Sequence, residues 1–142
     1  MEFVTPAEVA AVMNLAPIPR SLAELEARVR DGLPKSALAM SVQHIATDAE
    51  TRRALRASVV PEATYKRRRE RLSMGESEKT ERIARIYATA SYVWGDPGDA
   101  RTFLAAAHPL LEGRRPLDVA LTELGARRVE ALLSQILYGL PA

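Results

Sequence analysis

Four times in its first 76 residues the chain places a Ser or Thr three positions ahead of a Glu: Thr5-Pro6-Ala7-Glu8, Ser21-Leu22-Ala23-Glu24, Thr47-Asp48-Ala49-Glu50 and Ser73-Met74-Gly75-Glu76. At that spacing the hydroxyl accepts the N3 amide while the carboxylate reaches back to the cap amide, so each is a helix start. Strand signals are missing. Alternating β-branched or aromatic runs do not occur, and aromatics are only 5% of the chain. A sequence that punctuates itself this way is expected to fold as all-α.

The helices can be placed in order. The first runs from Pro6 to about Met13, and Pro17 and Pro19 then force an extended connector. The second puts Leu22, Leu25 and Val29 on one face and stops at Gly32. Pro34 opens a third, with Leu38, Val42 and Ile45 inward. Thr47 caps a short fourth carrying Arg52, Arg53 and Leu55. Pro61 then opens the strongly basic segment 61–71. Ser73 starts the longest helix, stopped by Gly95, whose apolar face is Ile83, Ile86, Tyr87, Ala90, Val93 and Trp94. Asp96 caps the next, with Ala100, Phe103, Leu104 and Ala107 inward. A loop over 110–115 and one helical turn over 116–120 lead to a last helix from about Thr122 to Tyr138, burying Val129, Leu132, Leu133 and Ile136. Three segments follow: 1–20 as a helix with a Pro-containing connector, 21–72 as a basic lobe, and 73–142 as a second helical unit.

Composition excludes several kinds of function. The 142 residues contain no cysteine, so disulfides, zinc ribbons and thiol chemistry are ruled out. His44 and His108 lie far apart and belong to no metal-spaced cluster. His44 reads as a partly buried helix residue, and His108, before Pro109, as a local capping group. No glycine-rich phosphate loop, HExxH pair or Ser/His/Asp order occurs. Glu24, Glu50 and Glu76 are engaged as caps. No catalytic residue, cofactor or metal is therefore expected. Glycine and proline together number 16, too few for a low-complexity chain. No apolar stretch approaches the roughly 20 residues of a membrane span, and Met1-Glu2-Phe3 is not a basic leader. A cytoplasmic protein without a membrane partner is the expectation.

Two constellations remain. Net charge is +2, but residues 1–72 hold 12 Lys/Arg against 9 Asp/Glu, while 73–142 hold 8 against 9. The surplus gathers at Lys66-Arg67-Arg68-Arg69 and Arg71, on a short helix that follows a capped helix in the order of a helix-turn-helix. Laid in a DNA major groove, that helix would aim Glu62, Thr64, Tyr65 and Arg68 at bases and Lys66, Arg67, Arg69 and Arg71 at phosphates. The same run also reads as a solvated basic surface paired with Glu62, Glu70 and Glu78. The other constellation is the amphipathic last helix and its ending, Tyr138-Gly139-Leu140. It fits either Leu140 folded back on the last turn or an apolar tip offered to a groove on another protein.

Motifs in order along the chain resemble the Xre/MbcA/ParS antitoxin family. They are Gly32-Leu33-Pro34-Lys35, Arg71-Leu72-Ser73, Arg82-Ile83-Ala84-Arg85, Trp94-Gly95-Asp96, Ala100-Arg101, Pro109-Leu110-Leu111, Gly113-Arg114-Arg115-Pro116-Leu117-Asp118, Thr122-Glu123-Leu124-Gly125-Ala126-Arg127-Arg128-Val129 and Tyr138-Gly139. The resemblance covers about residues 21–140 and is most specific from Trp94 to Gly139. It departs at Trp94 (Phe in many relatives), at Phe103-Leu104 (Trp-Leu), and at Glu112, where relatives have glycine. The Thr-rich start of the recognition helix is reduced to Thr64.

The resemblance implies an antitoxin of a type II toxin–antitoxin pair, with a helix-turn-helix-like N-terminal lobe and a small helical C-terminal toxin-binding domain. The implied partners are a RES-domain toxin acting on NAD, either degrading it or transferring ADP-ribose, and operator DNA for autorepression. Assembly as a dimer or as a hetero-oligomer with the toxin goes with it. The toxin-contacting set is expected to be Gly113, Arg114, Arg115, Arg127, Arg128, Gln135, Tyr138, Gly139 and Leu140. In it the tail lies across the NAD entrance and Arg127 and Arg128 meet an acidic rim. The alternative is a helix-turn-helix regulator without a toxin partner.

Overall fold

A computed structural model describes residues 3–139. Among them lie nine α-helices and no named strand: α1 (Pro6–Val12), α2 (Leu22–Asp31), α3 (Lys35–Ile45), α4 (Ala49–Val59), α5 (Glu62–Arg67), α6 (Met74–Trp94), α7 (Pro97–Ala105), α8 (Pro116–Val119) and α9 (Glu123–Leu137), with a 3-10 turn at Pro109–Leu111. The expected all-α fold is what forms.

The caps show why these elements begin where they do. Thr5 and Ser73 close complete boxes with Glu8 and Glu76. Ser21 accepts the Glu24 amide, but the Glu24 carboxylate passes beyond it to the Arg20 amide, 2.7 Å away. The fourth helix starts one residue later than expected. Asp48, not Thr47, is its cap, accepting both the amide and the hydroxyl of Thr51 at 2.8 Å. A carboxylate has two acceptor oxygens where threonine has one, so Asp wins the position. The Thr51 amide, then its hydroxyl, hold the Asp48 carboxyl below its ordinary range.

The 21 residues of α6 form the axis of the molecule. It packs against α1, α2, α3 and α4 of the first half of the chain and against α7 and α9 of the second. Its buried face includes Ile83, Ile86, Tyr87 and Ala90, with Val93 partly buried. Leu33, Leu38, Val60, Leu104, Leu111, Val129 and Leu133 close around it in one continuous cluster. Each such aliphatic chain, fully withdrawn from water, contributes about 1.5–3 kcal/mol.

Three expected core positions face out. Leu22 is exposed, because α2 meets α6 through Leu25. Ala107 lies beyond the end of α7 and is exposed. Trp94, the last residue of α6, is 40% exposed where the chain turns at the left-handed Gly95. Periodicity marks a face along a helix, yet burial at its final residue depends on what packs beyond it.

The link between α2 and α3 is stitched to α6 and to the residues just ahead of it. Leu33 donates its amide to the Ser77 hydroxyl at 2.8 Å and its carbonyl accepts the Leu72 amide at 2.8 Å. Lys35 donates to the Glu70 carbonyl at 2.9 Å. Gly32, at φ +96°, lies so close that a Cβ would stand 2.5 Å from the Leu72 carbonyl oxygen. Only glycine fits there.

Candidate functional site

Five of the seven aromatic residues, Phe3, Tyr92, Trp94, Phe103 and Tyr138, gather where α6 and α9 end. Phe3 stacks on Tyr92, with centroids 5.8 Å apart, and meets Tyr138 edge-on at 6.2 Å. Trp94 leans on Phe103 at 5.8 Å, and Phe103 on the His108 ring at 6.3 Å. Tyr92, Trp94 and Tyr138 are 54%, 40% and 56% exposed. Folding leaves about half of each of these rings in water, as it does the aliphatic side chains of Ile18, Leu22, Leu110 and Leu124 elsewhere on the surface. Gly139 takes the left-handed conformation expected of a residue just past a helix end, at φ +69°. Gln135 is half-buried on α9, and Leu140 lies outside the described residues.

The loop ahead of α8 is fixed by a charge clamp. Glu112 is left-handed (φ +55°), a conformation that favours glycine over residues with a side chain. Its carboxylate receives the Arg128 guanidinium through both oxygens, at 2.6 and 2.9 Å, and Arg114 at 2.7 Å. The bond from Arg128, then that from Arg114, holds the Glu112 carboxyl down at about 2. Arg128 also donates to the Leu110 carbonyl, and Arg115 grips Asp118 at 2.8 and 3.0 Å. Arg114, Arg115 and Arg128, expected as toxin contacts, are thus drawn into local pairs that shape the loop around Gly113. Arg127 is exposed and stands outside this clamp. Gly125 lets α9 start against α8, since a Cβ there would overlap the Val119 carbonyl oxygen. His108 accepts the Leu110 amide at 3.1 Å, the local capping role read from sequence.

The basic segment differs more from expectation. Its helix, α5, has six residues and ends at Arg67, so Arg68, Arg69 and Arg71 lie beyond it. Arg68 reaches back with two 3.1 Å bonds to Glu76 in the α6 cap. Burial works against the charged Glu76 carboxyl, but Arg68 and the Ser73 amide outweigh it and keep it below its ordinary range. Arg71 donates to the Gly32 carbonyl. Tyr65 packs on the core between the Lys35 ammonium, 4.3 Å away, and the Arg56 guanidinium, 4.8 Å away. Glu62 meets Arg56 and Lys66 at 3.9 Å, and Thr64 accepts from Arg67. Lys66, Arg67 and Arg69 are exposed.

The neighbouring helices that pack on one another in this lobe are α3 and α4, whereas α5, joined to α4 by only Val60 and Pro61, makes no comparable packing with it. Three residues, Ala46 to Asp48, connect α3 to α4. Arg52 braces the turn by donating to the Ala46 and Gln43 carbonyls at 2.7 and 3.4 Å. The short Asp-capped connection was the sequence signal for it. The aromatic end had a signal too: Tyr92 stands off the apolar period of α6, where an aromatic ring has no core to enter. Among the described residues no group of His, Cys, Asp and Glu could hold a metal ion, and no helix is long and apolar enough to cross a membrane.

Residues 89–139, which carry four of the five clustered aromatics, match the family model of the Antitoxin Xre/MbcA/ParS C-terminal toxin-binding domain. A curated protein of Pseudomonas putida, named Antitoxin Xre, is 31% identical over 120 residues, spanning 82% of this chain and 72% of its own length. The chain belongs to the Xre/MbcA/ParS antitoxin family. Membership gives it an antitoxin's role, and a toxin-binding domain implies a toxin as partner. Antitoxins of this family are generally not enzymes. The matched stretch takes in the last turn and a half of α6, all of α7, the clamped loop and all of α9; Phe3 joins it from the far end of the chain.

Proposed function

We propose that this antitoxin neutralises a RES-domain toxin acting on NAD by docking the aromatic end of α6 and α9 across its NAD entrance. It also represses its own operon through residues 21–72. The exposed rings of Tyr92, Trp94 and Tyr138 within the toxin-binding stretch carry the reading. Aromatic side chains with a wet edge are enriched at the anchoring centres of protein interfaces. A stable complex buries about 800 Å² on each partner, which this end, the loop around Gly113 and the tail together can supply. Arg127 and Gln135 lie on the same helix as Tyr138, free of the Glu112 clamp, and Arg127 suits an acidic rim. Arg114, Arg115 and Arg128 act indirectly, by holding the loop in place.

Co-expression with the RES toxin of the same operon tests the docking. Deleting residues 137–142 removes Tyr138 and the tail; loss of a buried aromatic anchor costs about 2 kcal/mol or more, roughly thirtyfold in affinity. Growth arrest is the expected result. Full protection by the shortened chain overturns the assignment of the tail.

For the operator, α4 is the helix that enters the major groove, led by Glu50 and Arg53, with Lys66, Arg67 and Arg69 on phosphates. Three phosphate contacts per lobe give a slope of about −2.7 in log K against log salt, doubled in a dimer. Changing Arg67 and Arg69 to Glu abolishes promoter binding and leaves toxin binding intact. Promoter affinity that survives the change makes the basic run ordinary surface.

A further inference from the structure

The toxin-binding stretch contains a groove that no described residue fills. It is a shallow, open groove of about 400 Å³ between the end of α6, α7 and the last turn of α9, lined by Trp94, Phe103, Ala106 and Ile136, with Thr102, His108 and Asp99. Trp94 forms one wall and remains 40% exposed, although it is the largest apolar side chain in the molecule. Phe103 supports it from within the core, and the His108 ring is tied down by the Leu110 amide. Contacts within the chain thus hold Phe103 and His108 in the lining.

We infer that this groove is a second anchoring subsite of the antitoxin, which receives one large apolar side chain projecting from the toxin. The inference rests on the docking reading above and names what enters beside it. Three observations carry it. Every lining residue falls inside the matched stretch 89–139. Ile136 stands two residues before Tyr138 on α9, so groove and tail share one helix end. The lining is apolar apart from Thr102, His108 and the carboxylate of Asp99, with no lysine or arginine. That chemistry repels a phosphate or a nucleotide and accepts an aliphatic or aromatic side chain, whose transfer from water scales with the apolar area covered. Burying an aromatic wall also costs little side-chain entropy, which is why such pockets act as interface anchors.

The chain has a single tryptophan, so the groove carries its own reporter. With 5-fluorotryptophan incorporated into the antitoxin alone, the fluorine resonance reports Trp94 in the full chain. Catalytically inactive RES toxin from the same operon is the titrant. Saturation is expected to shift and broaden that resonance. Ala106→Phe, placed at an exposed residue lining the groove, fills the space from the antitoxin side. It is expected to weaken toxin affinity about thirtyfold, with the circular-dichroism melt unchanged. A resonance unmoved in the saturated complex, or an Ala106→Phe chain that binds as tightly as the original, overturns the subsite. Either result, obtained while deletion of 137–142 still abolishes binding, leaves the docking reading standing. A wild-type chain that does not bind the toxin at all overturns both.

Discussion

Ser77 and Ser91 lie on the same helix, α6, and differ in one respect that makes them a matched experiment. The Ser77 hydroxyl accepts the Leu33 amide at 2.8 Å, with both residues fully buried. The Ser91 hydroxyl is also withdrawn from water but has no hydrogen-bond partner among the described residues. Alanine removes the same atom at each site, and both changes gain the same few tenths of a kcal/mol in helix propensity. At Ser77 the change strands a buried amide, which costs about 1–3 kcal/mol. At Ser91 it removes an already unsatisfied group, so stability holds or rises. For a chain of this size each kcal/mol moves the melting temperature by about 4 °C, so Ser77→Ala should melt about 4–12 °C below Ser91→Ala. Circular-dichroism melts and urea titrations measure the gap, and hydrogen exchange at the Leu33 amide locates it. Two variants melting within a degree of each other, with Leu33 equally protected in both, refute the claim that this bond joins the link between α2 and α3 to α6.

Two further outcomes follow from the α8–α9 corner. Gly125→Ala sets a methyl group against the Val119 carbonyl and forces α8 away from α9; overpacking of this kind costs about 1–3 kcal/mol or more, read as a lower urea midpoint with loss of toxin binding. Glu112 has a depressed carboxyl, so its clamp stabilises the folded chain above the ordinary carboxylate range and loses that contribution as pH falls from about 4.5 towards about 2. Side-chain carbon NMR should follow Glu112 titrating near 2, and a Glu112→Gln chain should lack that part of the acid dependence of stability.

Much of this fold was legible because helix starts are local. Thr5, Ser21 and Ser73 cap their helices within four residues of chain, and Gly95 and Gly139 end theirs in the left-handed region by the same short-range logic. The antitoxin family was legible too, since its motifs are strings of neighbouring residues. What the sequence by itself left open were partners beyond one helical turn, eight or sixteen positions away or at the other end of the chain. Arg68 pairs with Glu76 and Arg128 with Glu112, pairings that no string of neighbouring residues announces. Trp94 shares the apolar period of α6 yet faces water, and Phe3 meets Tyr138 across the length of the chain. Hydrogen bonds of a cap are set by dihedrals within one turn, whereas burial and charge pairing depend on which helices arrive alongside. Tertiary packing alone turned a scatter of rings and arginines into two aromatic groups at one end of the molecule and one clamped loop.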